Sequence, residues 1–170
     1  MFKWFFDRQI AAAEKQYGVP LDYMRYLAEH STGATLRMAR FARIAEQAPN
    51  LPPTVACVAG IVSAMADDCG TCVQIGVNIA KQRGVSRDIL QAVVRRQPDD
   101  LPDELRDVYH FAEAVTTGVD DDELREKLRQ RYGDRGLIDL GLAIAMHRVY
   151  PTLKRALGFA KSCSLVTVTT

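Results

Sequence analysis

The sequence predicts an all-α fold, a helical bundle in which a CxxC pair opens one of the helices. Three observations carry that prediction. Apolar residues recur at three- and four-residue intervals almost from end to end. Glycine, proline and capping residues cut the pattern into helix-length pieces. The intervals between pieces are short, as in helix bundles. No repeat, low-complexity segment or internal linker divides the 170 residues, so one domain spanning 1–170 with a sizeable core is expected.

Taken in order, "DRQIAAAEKQYG" reads as a helix ending near Gly18, and Pro20 opens the next. "LDYMRYLAEH" and "TLRMARFARIAEQ" are amphipathic helices parted by the stop-and-restart signal "STG". "APNLPP" breaks the chain before "TVACVAGIVSAMA", which is apolar on nearly every side and should be a central buried helix. Its small residues Cys57, Gly60 and Ala64 form a stripe that lets another backbone approach. The next helix begins at "DDCGTC", with Asp68 as the expected N-cap, and runs to "AKQRG". There Lys81 and Arg83 suit the negative helix end and Gly84 the left-handed stop. Ser86 caps "RDILQAVVRR". Pro102 and a set of acids start the helix through Leu105, Val108, Ala112 and Val115 to Gly118. "DDDELREKLRQRYG" is a polar helix with Leu124 and Leu128 inward. "GLIDLGLAIAMHRVY" is a second apolar helix that Pro151 should kink or end. The tail "SLVTVTT" is strand-like or disordered.

Composition excludes several classes of function. Lys plus Arg (22) nearly balances Asp plus Glu (21), which argues against a dedicated nucleic-acid binder. Arg37, Arg40 and Arg43 read as a solvated helix face. No apolar run is long enough for a membrane span. "MFKWFF" lacks the long apolar stretch of a secretory signal. It reads as a first helical turn whose Trp4 and Phe5 pack on this domain or on a second subunit. A cytoplasmic protein is the default expectation.

The chemistry-bearing feature is "DDCGTCVQIG", residues 67–76. Cysteines at i and i+3 leave the same side of a helical turn, so Cys69 and Cys72 can reach one another. A first-turn cysteine meets unpaired N–H groups and the positive helix end, which stabilise a thiolate. Thiolate attack on an oxidant followed by closure of a disulfide is then available. Two alternatives stand beside it. A structural zinc site lacks a second pair, and His30, His110 and His147 lie far off in sequence. Buried inert sulfurs are common for free cysteines. Cys163, near the end, is read as unrelated. Neither a cofactor nor a metal is expected.

A buried helix, a CxxC at the start of the next, and then "KQRGVSRDIL" resemble the alkylhydroperoxidase D-like (carboxymuconolactone decarboxylase) family. The likeness extends over most of the chain, through "LDYMRYLAEHSTGATLRMARFARIAEQ" before the pair and "LPDELRDVYHFAEAV" and "YGDRGLIDLGLAIAMHRVYPTLKRALG" after it. It implies an all-helical homo-oligomer in which Cys69 and Cys72 cycle between dithiol and disulfide. They would reduce a small-molecule peroxide, or exchange disulfides with a thiol or lipoyl-type reductant. In peroxidatic members a histidine four residues after the second cysteine helps deprotonate it, assisted by a glutamate twelve residues before the first. Those positions here are Gly76 and Cys57, so both relay groups depart from the pattern. Loss of a positioned base costs about 10²–10⁴ in rate, or roughly 3–5 kcal/mol of barrier. Asp67 and Asp68 oppose a thiolate rather than replace the base.

Gly76 leaves space that His110 or His147 could fill, though each otherwise reads as an ordinary polar residue on its helix. Cys57 is either a third thiol facing the pair or a small packing residue. The helix-end argument favours Cys69 as the attacking sulfur, the family relay Cys72; without the relay histidine, Cys69 is the expectation. The rival reading is a scaffold or small-ligand binder that kept the fold and lost the chemistry.

Overall fold

A computed structural model describes residues 2–160 and 166–168. Among them, eight α-helices and one short 3-10 turn account for the regular structure: α1 (Phe2–Tyr17), α2 (Asp22–His30), α3 (Thr32–Ala45), α4 (Pro53–Ala66), α5 (Gly70–Gln82), α6 (Arg87–Val94), the turn Pro98–Asp100, α7 (Asp103–Thr117) and α8 (Asp122–Ala156). The punctuation falls where the sequence placed it. Ser31 accepts a hydrogen bond from the Ala34 N–H and caps α3, Ser86 caps α6 through the Ile89 N–H, and α7 ends at left-handed Gly118.

α4 is the axle, buried on every side as its composition requires. Its most extensive contacts are with α8, α7 and α5. Ahead of it, the turn carrying Asn50 is tied to α8. The buried Asp139 carboxylate accepts from the Asn50 backbone N–H (2.8 Å) and side-chain amide (3.0 Å). A second cluster, formed by Phe6, Ile10, Leu21, Tyr23, Leu27 and Met38, joins α1–α3, with Tyr150 and Leu153 of α8 packed on it.

One expectation about α8 needs restating, that for Pro151. The polar helix and the apolar helix read from the sequence are two helical runs of α8 that meet at a kink at Gly133 (φ 70°, ψ 175°), a conformation open essentially to glycine alone. Pro151 neither ends nor breaks the helix, which continues to Ala156. Pro151 is buried there, so packing outweighs the lost backbone bond. Trp4 and Phe5 are 68% and 51% exposed and touch near neighbours on α1, the Arg8 guanidinium 5.8 Å from the Trp4 ring and the Phe6 ring 5.9 Å from that of Phe5, while Phe6 and Ile10 supply the buried face of the helix.

Cys163 and most of the tail lie outside the described residues. Residues 166–168 are not helical. They rest on α5, where the Gln74 amide donates to the Thr167 carbonyl (3.1 Å) and accepts from its N–H (2.8 Å). No described helix is long and apolar enough to cross a membrane.

Candidate functional site

α4 and α5 meet at a sharp corner. Asp68 takes a positive φ of 49° there, a region aspartate enters more readily than most residues. That turn displaces the helix start by one position. The expected N-cap, Asp68, lies in the corner, Cys69 itself is the N-cap, and α5 begins at Gly70. The first helical hydrogen bond runs from the Val73 N–H to the Cys69 carbonyl (3.0 Å). The N–H groups of Gly70, Thr71 and Cys72 therefore have no acceptor within the helix. Cys72, not Cys69, is the cysteine inside the first turn.

The two are joined as a disulfide, their Cα atoms 5.3 Å apart. Their surroundings differ. Cys69 is sealed at 1% exposure. Cys72, at 9%, forms part of the wall of a cavity of about 540 Å³. The acids beside the pair are partly engaged. The Arg148 guanidinium binds the Asp67 carboxylate through two contacts (3.1 and 3.2 Å) and also donates to the Thr116 carbonyl, while Arg155 donates to the Asp67 carbonyl. Asp67 is thus neutralised by α8 and sets less negative potential on the sulfurs than two free carboxylates would.

The cavity lies between the second cluster and α5. Its walls include Ile10 and Tyr17 of α1, Tyr23 and Met24, Met38 and Ala42 of α3, Cys72, Ile75, Gly76 and Ile79 of α5, and His147, Tyr150 and Lys154 of α8. Gly76 and the imidazole of His147 line this cavity together, but the position a side chain at Gly76 would take is met by Ile61 of α4, 3.0 Å away. The His147 Nδ1–H donates to the Ala143 carbonyl (2.7 Å), which leaves Nε2 as the ring's lone-pair nitrogen. Burial holds this imidazole below the usual histidine range, so it stays neutral. Its ring lies directly over Gly60: a Cβ at that residue would stand 2.7 Å from Nε2. The small stripe on α4 therefore admits a side chain here, not another backbone. His110 is elsewhere, exposed on α7 and 3.8 Å from Glu113.

Cys57 is buried on α4 and lines a smaller adjoining pocket with His147, Gly76, Arg83 and Glu46. Arg83 stands 4.0 Å from its sulfur and pairs with Glu46 at 2.8 Å. Burial nonetheless pushes the Cys57 thiol up, because desolvation outweighs the pull of the guanidinium. Cys69 and Cys72 are joined, and Cys57 opens on the neighbouring pocket with His147 between the two spaces. Among the described residues, no three His, Cys, Asp or Glu side chains converge as a metal-binding group.

Lys154, Tyr150, Glu46 and Arg83 were not foreseen as members of the site. His147, Tyr150 and Lys154 recur at i, i+3 and i+7, the spacing of one helix face. Polar groups at that interval within an apolar helix are the signal that could have found them. Their neighbours on α1 and α3 are unreadable without the fold. In its reduced form the arrangement offers one cavity-facing thiol beside a helix start, a second thiol in bonding reach, and a neutral imidazole on the same cavity. Comparisons with protein-family models, curated proteins and solved structures match this chain to none of them.

Proposed function

We propose that the chain is a thiol-dependent redox protein of the alkylhydroperoxidase D-like kind, which reduces an organic peroxide or exchanges disulfides through Cys69 and Cys72. The observation that carries this reading is the asymmetry of the pair: one sulfur faces a cavity of small-molecule size and its partner is sealed behind it. Cys72 is the attacking thiol. Its thiolate takes the terminal peroxide oxygen, releasing the alcohol after proton transfer and becoming a sulfenic acid. The Cys69 thiol then displaces water and closes the disulfide. Two electrons pass from the two thiols to the peroxide. A small dithiol or lipoyl-type reductant restores the pair through the same cavity.

His147 supplies what Gly76 and Cys57 do not. Its unprotonated Nε2 is the base toward which the Cys72 proton moves, in place of a histidine on α5. The homo-oligomer belongs to the same reading; Ile138, Leu142 and Val149 give α8 an exposed apolar line for a second copy.

Stopped-flow oxidation of the reduced protein by an organic hydroperoxide tests the assignment. Cys72→Ser should abolish the fast phase. Cys69→Ser should keep it and accumulate the sulfenic acid. Fast oxidation in Cys72→Ser would remove Cys72 from the attacking role, and no cysteine-dependent consumption in the parent would end the peroxidase reading. The altered relay at Gly76 and Cys57 favours the rival, a ligand-binding scaffold. That reading expects a Cys69→Ser/Cys72→Ser variant to assemble and bind unchanged.

A further inference from the structure

One cation on the cavity wall has no anionic partner. Lys154, in the last turn of α8, is 5% exposed. No hydrogen bond or ion pair reaches its ammonium among the described residues; its one close electrostatic neighbour is the Tyr23 ring, 5.7 Å from Nζ. Asp22, whose charge acts on it from beyond ion-pair distance, is exposed. A buried ammonium without a counter-charge is costly, several kcal/mol even after relaxation. The other cation on this wall is solvated: Arg43 lies at the exposed edge, beside the exposed Gln9 and Gln16. The rest of the lining is apolar apart from a few tyrosine, threonine and histidine groups and the half-buried Glu46, whose carboxylate is already paired with Arg83 at 2.8 Å.

We propose that this cavity binds an organic acid with an extended apolar body, the carboxylate received by Lys154 and the body laid against Ile10, Met24, Met38 and Ile75. The charge count selects a carboxylate. A single ammonium, with no arginine fork beside it, balances one negative charge and leaves a phosphate dianion underpaired. The volume, about 540 Å³, falls within the range of small-molecule sites, roughly 300–1,000 Å³. Binding does not require the thiols to turn over. That the bound acid, as its hydroperoxide or disulfide derivative, is what Cys72 attacks rests on the redox reading above.

Isothermal titration of the full chain with dodecanoate, dodecanol and acetate tests the site. Dodecanoate should bind about tenfold or more tighter than dodecanol, and acetate not measurably. Lys154→Met should remove the advantage of dodecanoate while leaving dodecanol unchanged, and Lys154→Arg should restore part of it. Ala42→Trp, which fills the cavity, should weaken both, with helicity checked by circular dichroism. Equal binding of the acid and the alcohol, an unchanged ratio in Lys154→Met, or no binding of either to the folded parent would overturn the proposal. The same titration in Cys69→Ser/Cys72→Ser separates the two claims. Acid binding retained in this variant shows that the site does not need the thiols, and acid binding in a parent protein that consumes no peroxide would strike the redox reading alone. Peroxidase activity without acid binding would strike this one alone.

Discussion

Around α4 the side chains of α5, α6, α7 and α8 close on one another until Val58, Val77, Leu90, Val108, Leu128 and Leu140 keep no exposed surface. Around α1–α3 the residues Ile10, Tyr23 and Met38 are buried too, though less completely, and they surround a void. Both regions bury apolar side chains, but only one fills the space between them. Close packing is the rule for interiors, so the unfilled region is where the fold has room for a guest. The cysteine pair straddles the seam, with Cys69 on the filled side and Cys72 on the open one.

The largest test of that contrast is a matched pair of truncations. Leu140→Ala should cost about 3–5 kcal/mol, because its neighbours cannot collapse into the gap. Met38→Ala should cost distinctly less, about 1–2 kcal/mol, since one side of that residue already lacks partner atoms. Urea unfolding of both variants measures the difference. Equal losses would mean the cavity wall is as tightly held as the core. The next effect is chemical. His147→Asn should slow peroxide oxidation of Cys72 about a hundredfold, the low end of what a positioned base contributes. An unchanged rate in stopped flow would leave the imidazole a packing residue.

A smaller effect tests the seam itself. Gly60→Ala puts a methyl group where His147 Nε2 allows 2.7 Å. The ring must move, at a cost of about 1–3 kcal/mol. Thermal melting reads that loss, and the oxidation rate should fall with it if the ring's position matters. The smallest test uses pH. His147 is held neutral by burial, below its ordinary value of 6.5. As pH falls through 6.5 the unfolded chain takes up the proton first, so stability is whole above that value and declines below it. In His147→Asn the decline should be shallower; an identical pH profile would show that burial of this imidazole has no linkage to folding.

Much of the architecture was legible in the residues. Helix boundaries followed Ser31, Ser86, Gly18 and Gly118 because caps and left-handed stops act within a few residues of themselves. The burial of α4 followed from its uninterrupted apolar run. Pro151 misled because a local rule met a tertiary one: a proline that should end a helix is tolerated where packing holds the helix on both sides. Asp68 misled in the same way, since any of several polar residues near a helix start can take the cap. The corner geometry decided that Cys69 should.

The site was legible only in part. Cys69 and Cys72 declared themselves because three residues at a helix start keep two side chains within reach, whether the first is the N-cap or the first helical residue. Which of them faces a ligand was not readable, since exposure depends on what packs above the turn, and that cover comes from α1, α3 and α8. The same limit applied to His147. Its value lies in sitting across Gly60, a residue whose missing side chain makes room for a ring eighty-seven positions later in the chain, and in lining the same cavity as Gly76.

By itself, the sequence determined the helices, the buried axle and two cysteines within reach of one another, because each follows from interactions between residues a turn or so apart. Tertiary structure alone decided that one sulfur is sealed, that the other opens on a cavity, and that His147 and Lys154 share that cavity with it. Those relations join helices far apart in the chain, and nothing in the spacing of residues along a single helix encodes where a second helix will cross it.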